Sequence, residues 1–182
     1  MRARWLYGAV LVAVAIGCGE GRAIFNVDVY SFLHSASADT LPYIGTTPPG
    51  LPDTIPVQSV QSLGIGTSSI VDTVGFAGAV DFVNATGSGN VLFAVYFDSV
   101  QNTVYNGTPA FSVSGTVTSG QTTSSTFSIP DIQTALKPLF LSAKLYVGIK
   151  ATATPTAPST LVRGTAKLTA LKARIVVTDK IF

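Results

Sequence analysis

The chain has 182 residues, 47% of them hydrophobic and only 11% charged, with one Cys, one His and a formal net charge of +2. Glu20 is the only Glu, and Val, Thr, Ser and Gly are abundant, a composition that argues against a helical bundle and for strands and turns. The net charge comes from Arg2 and Arg4; from Cys18 onward nine bases balance nine acids, which removes the electrostatic basis for a nucleic-acid partner.

Residues 1–17 read as a signal peptide. Arg2 and Arg4 precede an uncharged apolar run, Leu6 to Ile16, that is shorter than the ~20 residues a membrane-spanning helix needs. Ala15-Ile16-Gly17-Cys18 resembles the lipobox of bacterial lipoproteins, with Ala15 where that family usually has leucine. The resemblance implies that Cys18 is acylated through sulfur and becomes the mature N-terminus. It also implies that Gly19, in place of a retaining Asp, favours the outer membrane in a cell that has two. Cys18 is the only cysteine, so no intramolecular disulfide is available, and acylation accounts for a lone exported thiol. The alternatives are cleavage after Ala23, leaving a secreted domain, and an uncleaved membrane anchor. Residues 18–23 then form a lipidated tether, and 24–182 a single domain.

Phe25 to Leu33 alternates, with Phe25, Val27, Val29 and Leu33 on one side, and predicts a half-buried strand. Residues 35–54 carry Pro42, Pro48, Pro49 and Pro52 and predict a long loop. Short strands are expected at 56–63, 69–75, 77–84, 90–98, 109–118 and 123–129. Val91 to Phe97, apolar on both faces, is expected to be central, and Asn106-Gly107 to form a hairpin turn. One short helix is expected near 130–137, opened by Pro130-Asp131, buried through Ile132, Ala135 and Leu136, and ended by Pro138. Residues 141–152 and 161–178 alternate and read as a long C-terminal hairpin with basic residues outward.

The charges are segregated. Seven Asp and no Lys or Arg lie between Ala23 and Leu136, whereas eight of the nine charges from Lys137 on are basic. Two readings follow: C-terminal strands pair with N-terminal ones and neutralise them across the sheet, or a basic face meets anionic lipid head groups.

Motifs for chemistry are sparse. His34 is the sole histidine, so a zinc site of the usual ligand set cannot be assembled without cysteine partners, and no metal ligands or cofactor are expected. A Ser-His-Asp arrangement through His34 lacks a Gly-x-Ser-x-Gly elbow. Gly64-Ile65-Gly66-Thr67 lacks the lysine of a phosphate loop. Asn84-Ala85-Thr86 and Asn106-Gly107-Thr108 match the N-glycosylation triplet. The aromatics Phe76, Phe82, Phe93, Tyr96, Phe97, Tyr105, Phe111 and Phe127 fall at strand spacing and are expected in the core.

Phe76–Asn84 followed by a turn and Val91–Asp98, then Gly120 and a Ser/Thr run ending Ile129-Pro130, looks like the late-embryogenesis-abundant type 2 (water-stress) domain, with Ala85 where that family has proline. Together these features predict an all-β fold: an immunoglobulin/fibronectin-like β-sandwich of about 7–9 antiparallel strands. The functional expectation is a non-enzymatic, lipid-anchored structural or binding module of the bacterial cell envelope. It would be held to the membrane by its N-terminal lipid and open to an envelope-protein partner. The alternatives are a periplasmic carrier of lipid or a small apolar ligand in a cavity between the sheets, and a hydrolase using His34.

Overall fold

In a computed structural model of the chain, two antiparallel sheets pack face to face. The described residues are 21–46, 53–54, 57–61, 69–142, 144–157 and 160–179; the expected signal peptide, Cys18 and Gly64–Thr67 lie outside them. The strands are β1 (Gly21–Asp28), β2 (Thr40–Gly45), β3 (Asp53–Thr54), β4 (Gln58–Gln61), β5 (Ser69–Thr86), β6 (Gly89–Asp98), β7 (Phe111–Val117), β8 (Thr122–Ile129), β9 (Lys144–Pro155) and β10 (Val162–Asp179). Helix α1 (Val29–Ser35) follows β1, and 3-10 helices span Gln101–Asn106 and Thr134–Leu141.

Sheet A runs β1/β2, β10, β5, β8, with β1 and β2 end to end along one side of β10. Sheet B runs β3/β4, β9, β6, β7, with β3 and β4 sharing the edge of β9 in the same way. Taken as lanes in chain order, sheet A is first, eighth, third, sixth and sheet B second, seventh, fourth, fifth. That is the double Greek key of a jelly roll. The all-β sandwich is as expected, but its order is not the immunoglobulin/fibronectin one, in which the first strand neighbours the second; here β1 and β2 neighbour the last strand. For the same reason β9 and β10 are not a hairpin: β9 pairs with β6 and β10 with β5, in opposite sheets.

Local chemistry explains the other departures. The first strand stops at Asp28, which caps α1 by accepting from the Ser31 N–H (3.4 Å) and hydroxyl (2.7 Å), so Leu33 is buried from a helix. At its other end β1 begins at Gly21, inside the expected tether. β2 lies within the expected loop and tolerates Pro42 because it is an edge lane whose partner is β10 alone. The strands expected at 69–75 and 77–84 are one, β5, which pairs with β10 through Gly75 and Gly78 in regular register, with register shifts at Asp72, Thr169 and Ala85. Asn106-Gly107 does not turn a hairpin; it ends the 3-10 helix Gln101–Asn106, which folds back over sheet B.

The helix expected at 130–137 is the 3-10 helix Thr134–Leu141, with Pro138 inside it, a short run of weakly bonded turns that can forgo one donor. Residues 130–132 instead extend the edge of sheet A. Ile132 N–H donates to the Val74 carbonyl (2.9 Å), and Val74 N–H donates to Asp131 Oδ1 (3.0 Å). Lys137 Nζ locks this junction, donating to Asp131 Oδ2 (2.5 Å) and the Asp72 carbonyl (2.6 Å). Burial pushes the Asp131 carboxyl up, but Lys137 and the Val74 N–H outweigh it and hold it below its usual 3.8. A lowered folded value means that this stabilisation is present above the unfolded value and lost as pH falls through the folded one. Asp131→Asn should therefore lower the melting temperature at neutral pH and flatten its decline below about pH 4, which thermal melts across that range would measure.

The core is one cluster in which Phe76, Phe97, Phe111, Phe127 and Phe140 stand in ring contact, with centroids 5.2 to 6.3 Å apart. Each aromatic expected inside packs there or, for Tyr96 and Tyr105, in a second cluster under the 3-10 helix Gln101–Asn106. β6 is central as expected, with β7 and β9 on its two sides. Where the sheets meet along β7 and β8, hydroxyls close the seam: Thr123 donates to the Thr116 carbonyl (3.0 Å) and Ser125 to that of Ser114 (3.4 Å). The Ser/Thr run of β8 thus covers backbone acceptors that an edge would leave open.

Candidate functional site

Strand alternation decides what sheet A shows to the outside. Along β10, Ala173 and Ile175 point into the core, while Lys172 and Arg174 point out. Register then sets their neighbours. Lys172 lies between Asp28 of β1 and Ala77 of β5, and Ala77 in turn faces Ser128 of β8; Arg174 lies between Asn26 and Gly75. The β5 positions are the smallest residues available, so the surface dips between the long β10 side chains and the β8 rim that ends in Pro130. The result is an open trough of about 670 Å³, within the size range of small-ligand sites.

The polar groups of the trough are Arg174, Lys172, Asn26, Ser128 and Asp28. Asp28 is held below the usual carboxylate range, first by its hydrogen bond from the Ser31 hydroxyl and only in smaller part by the charge of Lys172. Its carboxylate is engaged in capping α1, and among the described residues neither Lys172 nor Arg174 makes an ion pair within 4.0 Å. Farther along the same face Lys167 stands opposite Asp81. Two of the C-terminal bases, Lys172 and Lys167, are thus placed against N-terminal acids across the sheet, as one of the two charge readings expected, whereas Arg174 and Arg163 are not. The face also carries exposed Ile24, Ile44 and Val83.

His34 sits on α1 with its side chain 64% exposed; its Nδ1 is 2.8 Å from Asp39 Oδ2 and its ring stacks on Tyr30. Asp39 is buried, which pushes its carboxyl up, yet the His34 hydrogen bond and smaller contributions prevail and lower it. This is the orienting half of a hydrolytic triad, and among the described residues no hydroxyl hydrogen-bonds to the His34 ring. Ser31 donates to Asp28, Ser35 to the carbonyls of Ser31 and Phe32, and Thr40 to Asp39. Asn84 is 2% exposed and Asn106 is exposed, so of the two glycosylation triplets only the second is accessible in the folded chain. Cys18, the predicted lipidation site, lies outside the described residues, which begin three positions later at Gly21. Among the described residues no group of three His, Cys, Asp or Glu side chains is placed to hold a metal ion, and no helix is long and apolar enough to cross a membrane.

Sequence reading placed Lys172 and Arg174 on the solvent side of the last strand but did not find the trough. The signal present was the Gly75/Ala77 pair of small residues, and linking it to Lys172 and Arg174 requires the β5–β10 register.

No family model and no curated protein matches the chain. Solved structures with a distant likeness include infectious bursal disease virus Gt strain (11% identity over 88% of this chain and 38% of that chain, TM-score 0.46). A second is the infectious bursal disease virus VP2 subviral particle (10% identity, 88% of this chain and 37% of that chain, TM-score 0.40). A third is dimeric latent PorU from Porphyromonas gingivalis (12% identity, 78% of this chain and 13% of that chain, TM-score 0.36). The chain spans less than two fifths of the length of each. With scores of this size, the fold assignment rests on the strand order of the chain itself.

Proposed function

We propose that the chain is a lipid-anchored, non-enzymatic binding module of the bacterial cell envelope, attached through Cys18 and docking its ligand or partner on the outer face of sheet A. The observation that carries the binding half is the position of the trough. It lies on an outer sheet face, and its polar groups are cations, an amide, a hydroxyl and a capping carboxylate rather than a nucleophile beside a base. The space between the sheets is filled by the phenylalanine cluster, which speaks for a surface role over an internal apolar cavity. The anchoring half rests on Ala15 to Cys18 and on the first strand starting at Gly21, which leaves the domain within about 10 Å of chain from the lipid.

The test is fractionation of cells that express the full chain, with mass spectrometry of its N-terminus. The expected result is an acylated Cys18 at residue one and detergent-dependent extraction, with Cys18→Ser lost from the membrane fraction. An unmodified cysteine in the wild type would overturn the anchoring reading.

A further inference from the structure

The trough holds two cations, Lys172 and Arg174, neither of which makes an ion pair within 4.0 Å among the described residues, and one acid, Asp28, opposite Lys172. Lys172 and Arg174 are two residues apart on one strand face, so their backbones are about 7 Å apart. Like charges at that spacing repel, and a fold that needed only solubility could alternate them with the acids found elsewhere on this sheet. Instead the cross-strand position beside Lys172 toward β8 is Ala77, which leaves room, whereas Gly75 beside Arg174 lies under the Ile129 and Pro130 carbonyls; the carboxylate opposite Lys172, Asp28, is engaged by Ser31.

We propose that this trough binds a phosphate ester, with the Arg174 guanidinium and Lys172 ammonium as its charge partners and Asn26, beside Arg174 on β1, as a neutral hydrogen-bond donor; this rests on the binding-module reading above. Three considerations select the chemistry. A guanidinium and an ammonium against a single carboxylate, itself engaged by Ser31, leave the trough with a net positive charge that calls for an oxyanion. Donors on two adjacent strands, β1 and β10, can reach an anion over the Ala77 floor from either side, which suits the several oxygens of a phosphate. The surface shows no aromatic platform for a sugar or base, the trough-lining Phe76 being buried in the core. The ester has two sources, a phospholipid head group or a soluble phosphate. Exposed Ile24 on the β1 side of the same face would lie beside the acyl region of a lipid.

The experiment is a phosphorus NMR line-broadening titration of the full chain in a neutral detergent, with inorganic phosphate, glycerol 3-phosphate and dihexanoyl phosphatidylglycerol as probes. Saturable binding is expected, weakened about tenfold or more by Arg174→Ala, and weakened also by Ala77→Leu, which fills the floor without changing charge. Lys144→Ala/Lys150→Ala, on sheet B, should leave it unchanged. Tighter binding of the phospholipid identifies a head group, and tighter binding of glycerol 3-phosphate identifies a soluble ester; either supports the proposal. It is overturned if the wild type, with its melting transition intact, shows no saturable binding. It is equally overturned if the sheet B variant loses as much affinity as Arg174→Ala, or if acetate displaces phosphate at equal concentration. Absent phosphate binding together with Cys18-dependent membrane attachment would sink this inference alone. Binding by a chain whose Cys18 is unmodified would sink the anchoring reading alone.

Discussion

Replacing Asn84 with alanine should destabilise the protein by about 2–4 kcal/mol, lowering the melting temperature by roughly 6–12 °C. Asn84 is a buried junction at the end of the sandwich where β5 passes to β6. Its Oδ1 accepts from the Tyr43 hydroxyl (3.2 Å), its Nδ2 donates to the Gly87 carbonyl (2.7 Å), and its backbone N–H donates to the Gln121 carbonyl (2.9 Å). One side chain therefore ties β2, β5 and the arch that carries the chain between sheets. Tyr43 is fully buried, and burial pushes its phenol up to about 12, so its hydroxyl stays protonated and needs an acceptor. Alanine strands that hydroxyl and leaves Gly87, whose φ of 72° already demands glycine, without its brace. Asn84→Asp is the sharper test. An ionised carboxylate would be buried, and it would face the Gly87 carbonyl with an acceptor where a donor stood. Burial would raise the folded pKa of the introduced carboxyl above its unfolded value, so the deficit should be smallest at acid pH and grow as pH rises through about 4. Thermal melts of both variants from pH 3 to pH 8 measure it; an Asn84→Asp variant whose relative stability does not fall with pH would refute the account.

How much of this was legible follows from what period-2 patterning can carry. Alternation separates inward from outward residues, and it placed Leu145, Val147 and Ile149 correctly inside. It holds nothing about which strand lies alongside, because every lane of a sandwich buries the same kind of face. Hence Leu141–Thr152 and Leu161–Thr178, adjacent in sequence and alike in pattern, read as a hairpin although a jelly roll sends them to opposite sheets. The turn between them offered a clue, since Pro155 and Pro158 across a connection of several residues suit an arch better than a tight turn. Helix α1 escaped notice because Val27, Val29 and Leu33 suit a continuing strand, whereas the cap that stops it depends on Asp28 and Ser31 three apart.

The trough was hidden for a related reason. Lys172 and Arg174 as outward bases needed only alternation, but their placement beside Ala77 and Gly75 depends on the register shifts between Leu168 and Ala170 and between Val176 and Val177. Each shift flips the strand by one residue and is set by three-dimensional fit. Asn84 shows the opposite case. A residue that matches a glycosylation triplet is buried by the same arch that makes Gly87 obligatory, because the strand runs on to Thr86 and carries Asn84 inward.

Tyr105→Phe should cost about 2 kcal/mol and, unlike the Asn84 variants, should show its effect at one backbone position. Among the described residues β4 pairs with β9 as far as Val147 and β3 pairs with Lys150 and Ala151. The Tyr105 hydroxyl reaches Ile149 between them. It accepts from the Ile149 N–H (3.2 Å) and lies 3.2 Å from the Ile149 carbonyl, to which it donates, making a side-chain rung on β9. Burial raises the Tyr105 phenol, and the Ile149 backbone works against it to a smaller degree, so the hydroxyl remains protonated across the physiological range. Gly148 makes the arrangement possible, because a Cβ there would meet Tyr105 Cε1 at 2.7 Å and Val104 Cγ1 at 2.5 Å. Phenylalanine keeps the ring packing with Tyr96 but strands a donor and an acceptor on a residue only 1% exposed. Amide hydrogen exchange should therefore accelerate at Ile149 while Val95 and Val147 stay protected. Gly148→Ala, which pushes the ring away, should produce the same local acceleration. The double variant should then cost clearly less than the sum of the two, since both remove one interaction. Additive losses, or unchanged exchange at Ile149, would mean that the hydroxyl is not the rung that holds Ile149.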